Sequence, residues 1–126
     1  MRPTRRRLGT HLLLDLWGLT PAILDRPREL ERALVAAARA GGARVIEARF
    51  RRFEPQGVSG VVLLAESHVA LHTWPELGYA AADVFTCGDP AVGERVADAV
   101  VAALAPSGKG VRRVVRGLPA RGRKRP

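Results

Sequence analysis

Four short segments with the composition of β-strands follow one another between residues 43 and 87, and this run constrains the fold most strongly. They are ARVIEARF (43–50), GVSGVVLLAE (57–66), SHVALHTW (67–74) and YAAADVFTC (79–87). Adjacent strands joined by short connections are expected to pair in antiparallel fashion. Two further strands are predicted at HLLLDLW (11–17) and VRRVVRGL (111–118), the last of them at a sheet edge.

Two helical segments interrupt the strands. Residues 28–40 place leucine and alanine at helical spacing, and Gly41 with Gly42 ends the pattern. A second helix is predicted to start at Asp89, as its capping residue, with Pro90 in its first turn. Thr20-Pro21 looks like a similar helix start. The order β-α-β-β-β-β-α-β predicts an α+β fold: a two-layer sandwich with an antiparallel-rich sheet and two main helices packed on one face.

The strong positive charge of the chain is confined to its ends. The net charge is +9, but residues 8–108 carry nine basic and twelve acidic side chains. We therefore expect a single domain over residues 8–118, between a basic tail at 1–7 and another at 119–126. Nucleic-acid binding is not expected as the main function, because the body lacks a basic stripe and any base-stacking motif.

The location of the protein is predicted from what the chain lacks. Cys87 is the single cysteine of the 126 residues, so an internal disulfide is excluded and a reducing compartment is expected. The basic start is not followed by a leader peptide or by an apolar run long enough to cross a bilayer. These features predict a cytoplasmic protein without membrane partners.

Titratable side chains concentrate in residues 66–88. Residues two apart in a strand share a face, so His68, His72 and Trp74 should point one way. In the next strand, one face should likewise hold Tyr79, Asp83, Phe85 and Cys87. A cluster of this kind suggests a functional site, although two histidines on a short strand are often surface or core residues. No spacing indicates a metal site or a phosphate-binding loop.

A lone serine–histidine pair is also present in this segment. Ser67 and His68 are adjacent in sequence, and adjacent strand residues face apart. We therefore expect them to be badly placed to act as nucleophile and base in a hydrolase.

Longer segments of the sequence resemble those of a known family. The segment ESHVALHTWPELGYAAADVFTCGD resembles the hallmark of the prokaryotic S-adenosylmethionine decarboxylase proenzyme family. GTHLLLDLWG is similar to the first strand of that family, and RFEPQGVSGVVLLAES to its approach to the cleavage bond. The resemblance covers roughly residues 8–118.

The resemblance implies that the chain cuts itself and makes its own cofactor. The Ser67 hydroxyl attacks the carbonyl of Glu66, the resulting ester is eliminated, and Ser67 becomes a covalent pyruvoyl group. His72 assists the elimination and Ser59 helps to hold the intermediate. The products are a β chain of residues 1–66 and an α chain of residues 67–126. The pyruvoyl group then forms a Schiff base with the substrate amine and accepts the electrons released with carbon dioxide.

The resemblance also implies roles for residues that bind or protonate the substrate. Cys87 would reprotonate the α-carbon, whereas a free cysteine is most often a small buried hydrophobe. Phe53 would stack on the adenine, Glu76 would bind the ribose, and Trp74 would line the site. Without the resemblance the two aromatic residues would be ordinary core or interface side chains, and Glu76 a turn residue. The enzymes resembled are dimers of processed αβ units, with each site near the dimer interface.

Three positions depart from the pattern of the family. Arg51 and Gln56 stand where relatives often have histidine, and Leu77 where an aromatic residue is common. The leading prediction is decarboxylation of S-adenosylmethionine to the aminopropyl donor for spermidine synthesis. The alternative is a pyruvoyl-dependent arginine or ornithine decarboxylase of the same fold. A third hypothesis is a non-catalytic basic binding protein that stays uncut.

Overall fold

The computed structural model describes residues 8–117. Its strands, in which buried and exposed side chains alternate, form one antiparallel sheet. The strands are β1 (Gly9–Trp17), β2 (Val45–Arg52), β3 (Val58–Leu64), β4 (Ser67–Trp74), β5 (Tyr79–Thr86) and β6 (Gly108–Arg116). Their order in the sheet is β2-β3-β4-β5-β1-β6. Every neighbouring pair is antiparallel. The predicted basic tails lie outside the described residues.

The two helices form where the sequence predicted them. Helix α1 (Pro27–Ala40) ends at Gly41, and α2 (Pro90–Leu104) begins at Asp89, whose side chain accepts a hydrogen bond from the Ala91 amide at 2.9 Å. The helix start predicted at Thr20-Pro21 is wrong. A single 3₁₀ turn follows it (Ile23–Asp25), and α1 begins at Pro27 instead.

The hydrophobic core lies between the helices and one face of the sheet. From α1 it takes Leu30 and Leu34, from α2 Val96 and Val100, and from the strands the alternate positions of β1, β3, β4 and β5. The α+β sandwich with both main helices on one face is therefore confirmed.

The opposite side of the sheet is not covered by either helix, and we call it the open face. Its residues are Ser59, Val61 and Leu63 of β3; His68, Ala70, His72 and Trp74 of β4; Tyr79, Ala81, Asp83 and Phe85 of β5; and His11, Leu13, Asp15 and Trp17 of β1. The predicted sharing of faces by the histidines and Trp74, and by Tyr79 with Asp83, is correct. The titratable side chains of the central strands β1, β4 and β5 thus lie on the open face.

Strand β6 is the edge strand that the sequence predicted, but it starts three residues earlier than expected. It pairs with β1 along its whole length and carries Lys109, Arg112, Arg113 and Arg116. Part of the basic C-terminal charge therefore belongs to the folded sheet. None of the helices within residues 8–117 is long and apolar enough to span a bilayer.

Candidate active site

The turn between β3 and β4 contains the predicted cleavage position. Glu66 lies in this turn and Ser67 begins β4, where its φ angle is 150°. A non-glycine residue rarely adopts this angle, and such conformations cost about 1–3 kcal/mol. Ser67 nevertheless pairs with Leu64 and with Thr86. The surrounding strands therefore hold the serine in a strained conformation.

Both polar groups of Glu66 are fixed by hydrogen bonds. The carbonyl oxygen accepts from the backbone N–H of Cys87 at 2.9 Å, and the side-chain Oε1 accepts from the backbone N–H of Arg44 at 3.1 Å. A backbone N–H aimed at a carbonyl oxygen polarises that carbonyl and stabilises negative charge that develops on it. The bond that precedes Ser67 is thus held and polarised at one end of β4.

A second group of predicted residues meets at the other end of β4. Ser59 and His72 are cross-strand partners, and the Ser59 Oγ lies 2.8 Å from the His72 Nδ1. Beside them is a cavity of about 300 Å³. Its lining includes Phe53, Trp74 and Glu76 as well as this pair. Five of the eight residues predicted for the site therefore share one cavity.

This cavity is bordered by a loop that Asp25 holds in place. The Asp25 carboxylate accepts from the Gly57 N–H at 2.8 Å and from the Arg52 Nε at 3.1 Å. These bonds lower the pKa of Asp25 below its usual value, and the bond from Gly57 has the larger effect. A larger cavity of about 660 Å³ lies next to it and shares Gln56 and Glu76 with it. No pattern in the sequence indicated the role of Asp25.

The two groups are too far apart to react within one chain. His72 is five positions after Ser67 along β4, and at about 3.3 Å per residue this is a distance on the order of 16 Å. Ser67 does not line the cavity that contains His72. The structure therefore presents two half-sites, one around residues 66–67 and Cys87 and the other around Ser59 and His72.

The expectation that Ser67 and His68 face apart is wrong. The Ser67 Oγ lies 3.4 Å from the His68 Nδ1, because the unusual φ angle of Ser67 breaks the alternation of the strand. The other ring nitrogen of His68 lies 3.2 Å from Oδ1 of Asp83. His11 joins them from β1, and one ligand-type atom from each of His11, His68 and Asp83 lies within 4.8 Å of the others. His11 and Asp83 were not among the predicted site residues.

The structure also decides between the alternatives for several side chains. Cys87 is free and exposed, so it is not a small buried hydrophobe. Phe53 and Trp74 are 45% and 39% exposed, so neither is a core residue of the single chain. Glu76 does lie in a one-turn 3₁₀ helix (Pro75–Leu77), yet it also lines both cavities.

Comparison with known proteins places this arrangement in a family. The profile of the S-adenosylmethionine decarboxylase family matches residues 10–117. The S-adenosylmethionine decarboxylase proenzyme of Methanococcus vannielii is 52% identical over 89 residues, which are 71% of this chain and 73% of that protein. The proenzyme of Caldanaerobacter subterraneus subsp. tengcongensis is 57% identical over 82 residues, 65% of this chain and 66% of that protein.

A solved structure extends the comparison to the fold. The crystal structure of the adenosylmethionine decarboxylase from Aquifex aeolicus superposes with a TM-score of 0.85 at 36% identity, and the match covers 95% of this chain and 99% of that one. The fold and the open sheet face thus define a decarboxylase-type α+β sandwich. The chain belongs to the S-adenosylmethionine decarboxylase family.

Proposed function

We propose that the chain is a proenzyme that cuts itself between Glu66 and Ser67 and then decarboxylates S-adenosylmethionine. The observation that carries this proposal is the geometry of the Glu66–Ser67 turn. A strained serine follows a carbonyl that accepts a hydrogen bond from the Cys87 N–H at 2.9 Å. Cleavage releases the backbone strain, and the N–H stabilises the oxyanion that forms as the hydroxyl attacks.

The cleavage leaves a β chain of residues 1–66 and an α chain whose first residue is derived from Ser67. A pyruvoyl group at this position supplies an electron sink for the decarboxylation of an α-amino acid. The residues present fit such a group, since the serine from which it would form directly follows the Glu66 carbonyl that the Cys87 backbone N–H contacts, and the Cys87 thiol is free and exposed. That thiol is the proton donor of the proposed reaction, because its S–H carries a proton that can be transferred to a carbanion.

The other half-site supplies the substrate contacts. The exposed rings of Phe53 and Trp74 offer stacking surfaces for a base, and the Glu76 carboxylate offers acceptors for the hydroxyls of a ribose. His72, held by Ser59 at 2.8 Å, is the proposed proton-transfer group in the elimination step of processing.

We infer from the separation of the half-sites that a second copy of the chain completes each site. His72 cannot reach Ser67 of its own chain across a distance on the order of 16 Å. The open face carries Trp17, Val61, Leu63 and Trp74, all substantially exposed. When two such faces stack about a two-fold axis perpendicular to the strands, the two copies of β4 run in opposite directions. The Ser67 end of one β4 then approaches the His72 end of the other, which completes two sites in a homodimer.

Carbon dioxide release tests the substrate. Purified, processed protein is given carboxyl-labelled S-adenosylmethionine, arginine or ornithine in parallel, and release from S-adenosylmethionine alone is expected. Release only from a basic amino acid would instead support the arginine or ornithine alternative. An uncut chain that releases no carbon dioxide and binds nucleic acid in a salt-sensitive manner would support the non-catalytic hypothesis.

A Cys87→Ala variant is the matched control for the roles of the thiol and the N–H. It keeps the backbone N–H that contacts Glu66, so it should be cut as the wild type is. It should lose most of its turnover, by on the order of 100-fold, because the proton donor is gone. Normal turnover in this variant would remove Cys87 from the mechanism.

A further inference from the structure

A continuous series of polar contacts runs from the serine of the cleavage turn across the open face. The Ser67 Oγ is 3.4 Å from the His68 Nδ1, and the His68 Nε2 is 3.2 Å from Oδ1 of Asp83. The first distance is at the long end of the hydrogen-bond range, as is common before a reactive complex has formed. All three side chains are partly buried. This series is a serine, a histidine and an aspartate in the order of a catalytic triad.

The carboxylate of Asp83 determines which nitrogen of His68 carries the proton. A carboxylate only accepts hydrogen bonds, so the Nε2 next to Asp83 must be the N–H. The Nδ1 is then unprotonated and can accept the hydroxyl proton of Ser67. The same logic orients the histidine in serine hydrolases, where an aspartate fixes the tautomer of the base.

A second histidine supports the same carboxylate. Arg116 cannot accept a hydrogen bond, so its guanidinium donates to the His11 Nδ1 at 3.2 Å, and the His11 Nε2 must carry the proton. This Nε2 is buried, makes no hydrogen bond within the described part of the chain, and lies 3.5 Å from the Asp83 Oδ1. The His68 Nε2–H thus donates to Asp83, and the His11 Nε2 lies within ion-pair distance of the same carboxylate oxygen.

We propose that His68 is the general base that activates Ser67 in self-cleavage, and that Asp83 is the residue that positions His68. The inference rests on the proposed function, and it assigns a step that His72 cannot perform within its own chain. As the Ser67 Oγ bonds to the Glu66 carbonyl carbon, its proton passes to the His68 Nδ1. The bond from that carbon to the Ser67 nitrogen breaks, and His68 returns the proton to this nitrogen. The products are an ester and a free amine, without any oxidant or co-reactant.

The site has a second possible use, because two imidazoles and a carboxylate are also ligands of transition metals. Two contacts argue against a metal. The Arg116 guanidinium lies against His11 and brings a positive charge to the cluster. The Asp83 oxygen nearest both rings already accepts a hydrogen bond from His68 and lies 3.5 Å from the His11 Nε2. The proton-transfer role uses these contacts as they stand.

The test follows cleavage of newly synthesised chain in a cell-free translation, with gel and mass readouts. His68→Ala should slow the appearance of the two fragments by on the order of 100-fold, and Asp83→Asn by at least about tenfold. Added imidazole should partly restore cleavage of the His68→Ala chain, which a merely structural defect would not allow. A His68→Gln variant of similar size, compared by circular dichroism, controls for folding.

Hydroxylamine separates the two steps of cleavage, since it cuts esters but not the peptide bond. His72→Ala should accumulate the ester and be cut by hydroxylamine, whereas His68→Ala should stay whole. Cleavage of His68→Ala by hydroxylamine, or wild-type rates in both His68→Ala and Asp83→Asn, would overturn the inference. Loss of wild-type cleavage on addition of a chelator would overturn it in favour of a metal. A wild-type chain that is never cut would instead refute the proposed function itself.

Discussion

At the residue scale, Tyr79 shows how the open face orders its aromatic side chains. Its ring centroid lies 4.2 Å from that of Trp17 and 5.3 Å from that of Trp74. Its hydroxyl donates a short hydrogen bond to Asp15. This bond, and then burial, raise the pKa of Tyr79 to about 12. Tyr79 therefore stays neutral at physiological pH and supports Trp74, a proposed substrate contact.

The pKa of Tyr79 can be measured directly because it is the one tyrosine of the chain. An absorbance titration of the phenol should give a midpoint well above 10 in the wild type and a lower midpoint in Asp15→Asn. The raised pKa means that the folded state holds the phenolic proton more tightly than the unfolded state. The resulting stability is fully present below pH 10 and is lost as the pH rises through about 12. A wild-type midpoint near 10 would contradict the contact.

The residue scale is also where prediction from the sequence was least complete. The alternation of β4 and β5 correctly predicted which side chains share the open face. It failed at Ser67, because the period of two assumes regular strand angles and the φ of 150° is set by the tertiary structure of the turn. It also missed His11, because β1 joins the sheet beside β5, far from it in sequence. The roles of the predicted site residues stay predictions.

At the element scale, the packing of α1 against α2 depends on a glycine at the end of α1. A Cβ built on Gly41 would lie 2.6 Å from the Val96 backbone nitrogen and 2.8 Å from its Cα. Val96 is fully buried in the core. The glycine that the sequence indicated as a helix end therefore also permits close approach of the second helix.

Gly41→Ala should destabilise the fold by about 1–3 kcal/mol, because backbone atoms of α2 must move to make room. Chemical denaturation monitored by circular dichroism measures this loss. Gly88→Ala is the matched control, because the added Cβ would meet no atom within 4 Å and any cost comes from the positive φ alone. A smaller loss for Gly41→Ala than for this control would refute the close contact between the helices.

The elements themselves were mostly predictable. Both helices and all six strands were placed from periodicity and capping residues, with boundary errors of up to three residues, the largest at β6. The wrong start at Thr20-Pro21 arose because a proline after threonine also suits a turn, and no apolar periodicity follows it until residue 30. The order of the strands in the sheet was not predicted, because the local sequence pattern contains no information on the pairing of β1 with β5 and β6.

At the scale of the whole molecule, the open face accounts for the division of the site. One side of the sheet is closed by helices, and the other carries Ser59 and His72 together with exposed aromatic and aliphatic side chains. The proposed homodimer covers that apolar surface and joins the half-sites by the same contact. The family and the fold are confirmed, and the dimer is part of the proposal.

Subunit complementation tests whether the half-sites meet between chains. Ser67→Ala lacks the nucleophile but keeps His72, and His72→Ala keeps the nucleophile. Neither should be cut to completion alone. When the two are co-expressed with different tags and the mixed dimer is isolated, one complete site remains. About half of the chains, those that carry His72→Ala, should then be cut. Mixed dimers in which that chain stays whole would show that His72 does not act across the interface.

Intact mass spectrometry of the purified protein tests the central claim most directly. The account predicts two polypeptides, one of residues 1–66 and one of residues 67–126. The second should be lighter, by the mass of one ammonia, than a fragment that begins with an unmodified serine. The Ser67→Ala chain should remain whole under the same conditions. A folded wild-type chain that keeps all 126 residues in one piece, with an ordinary serine at position 67, would contradict the account.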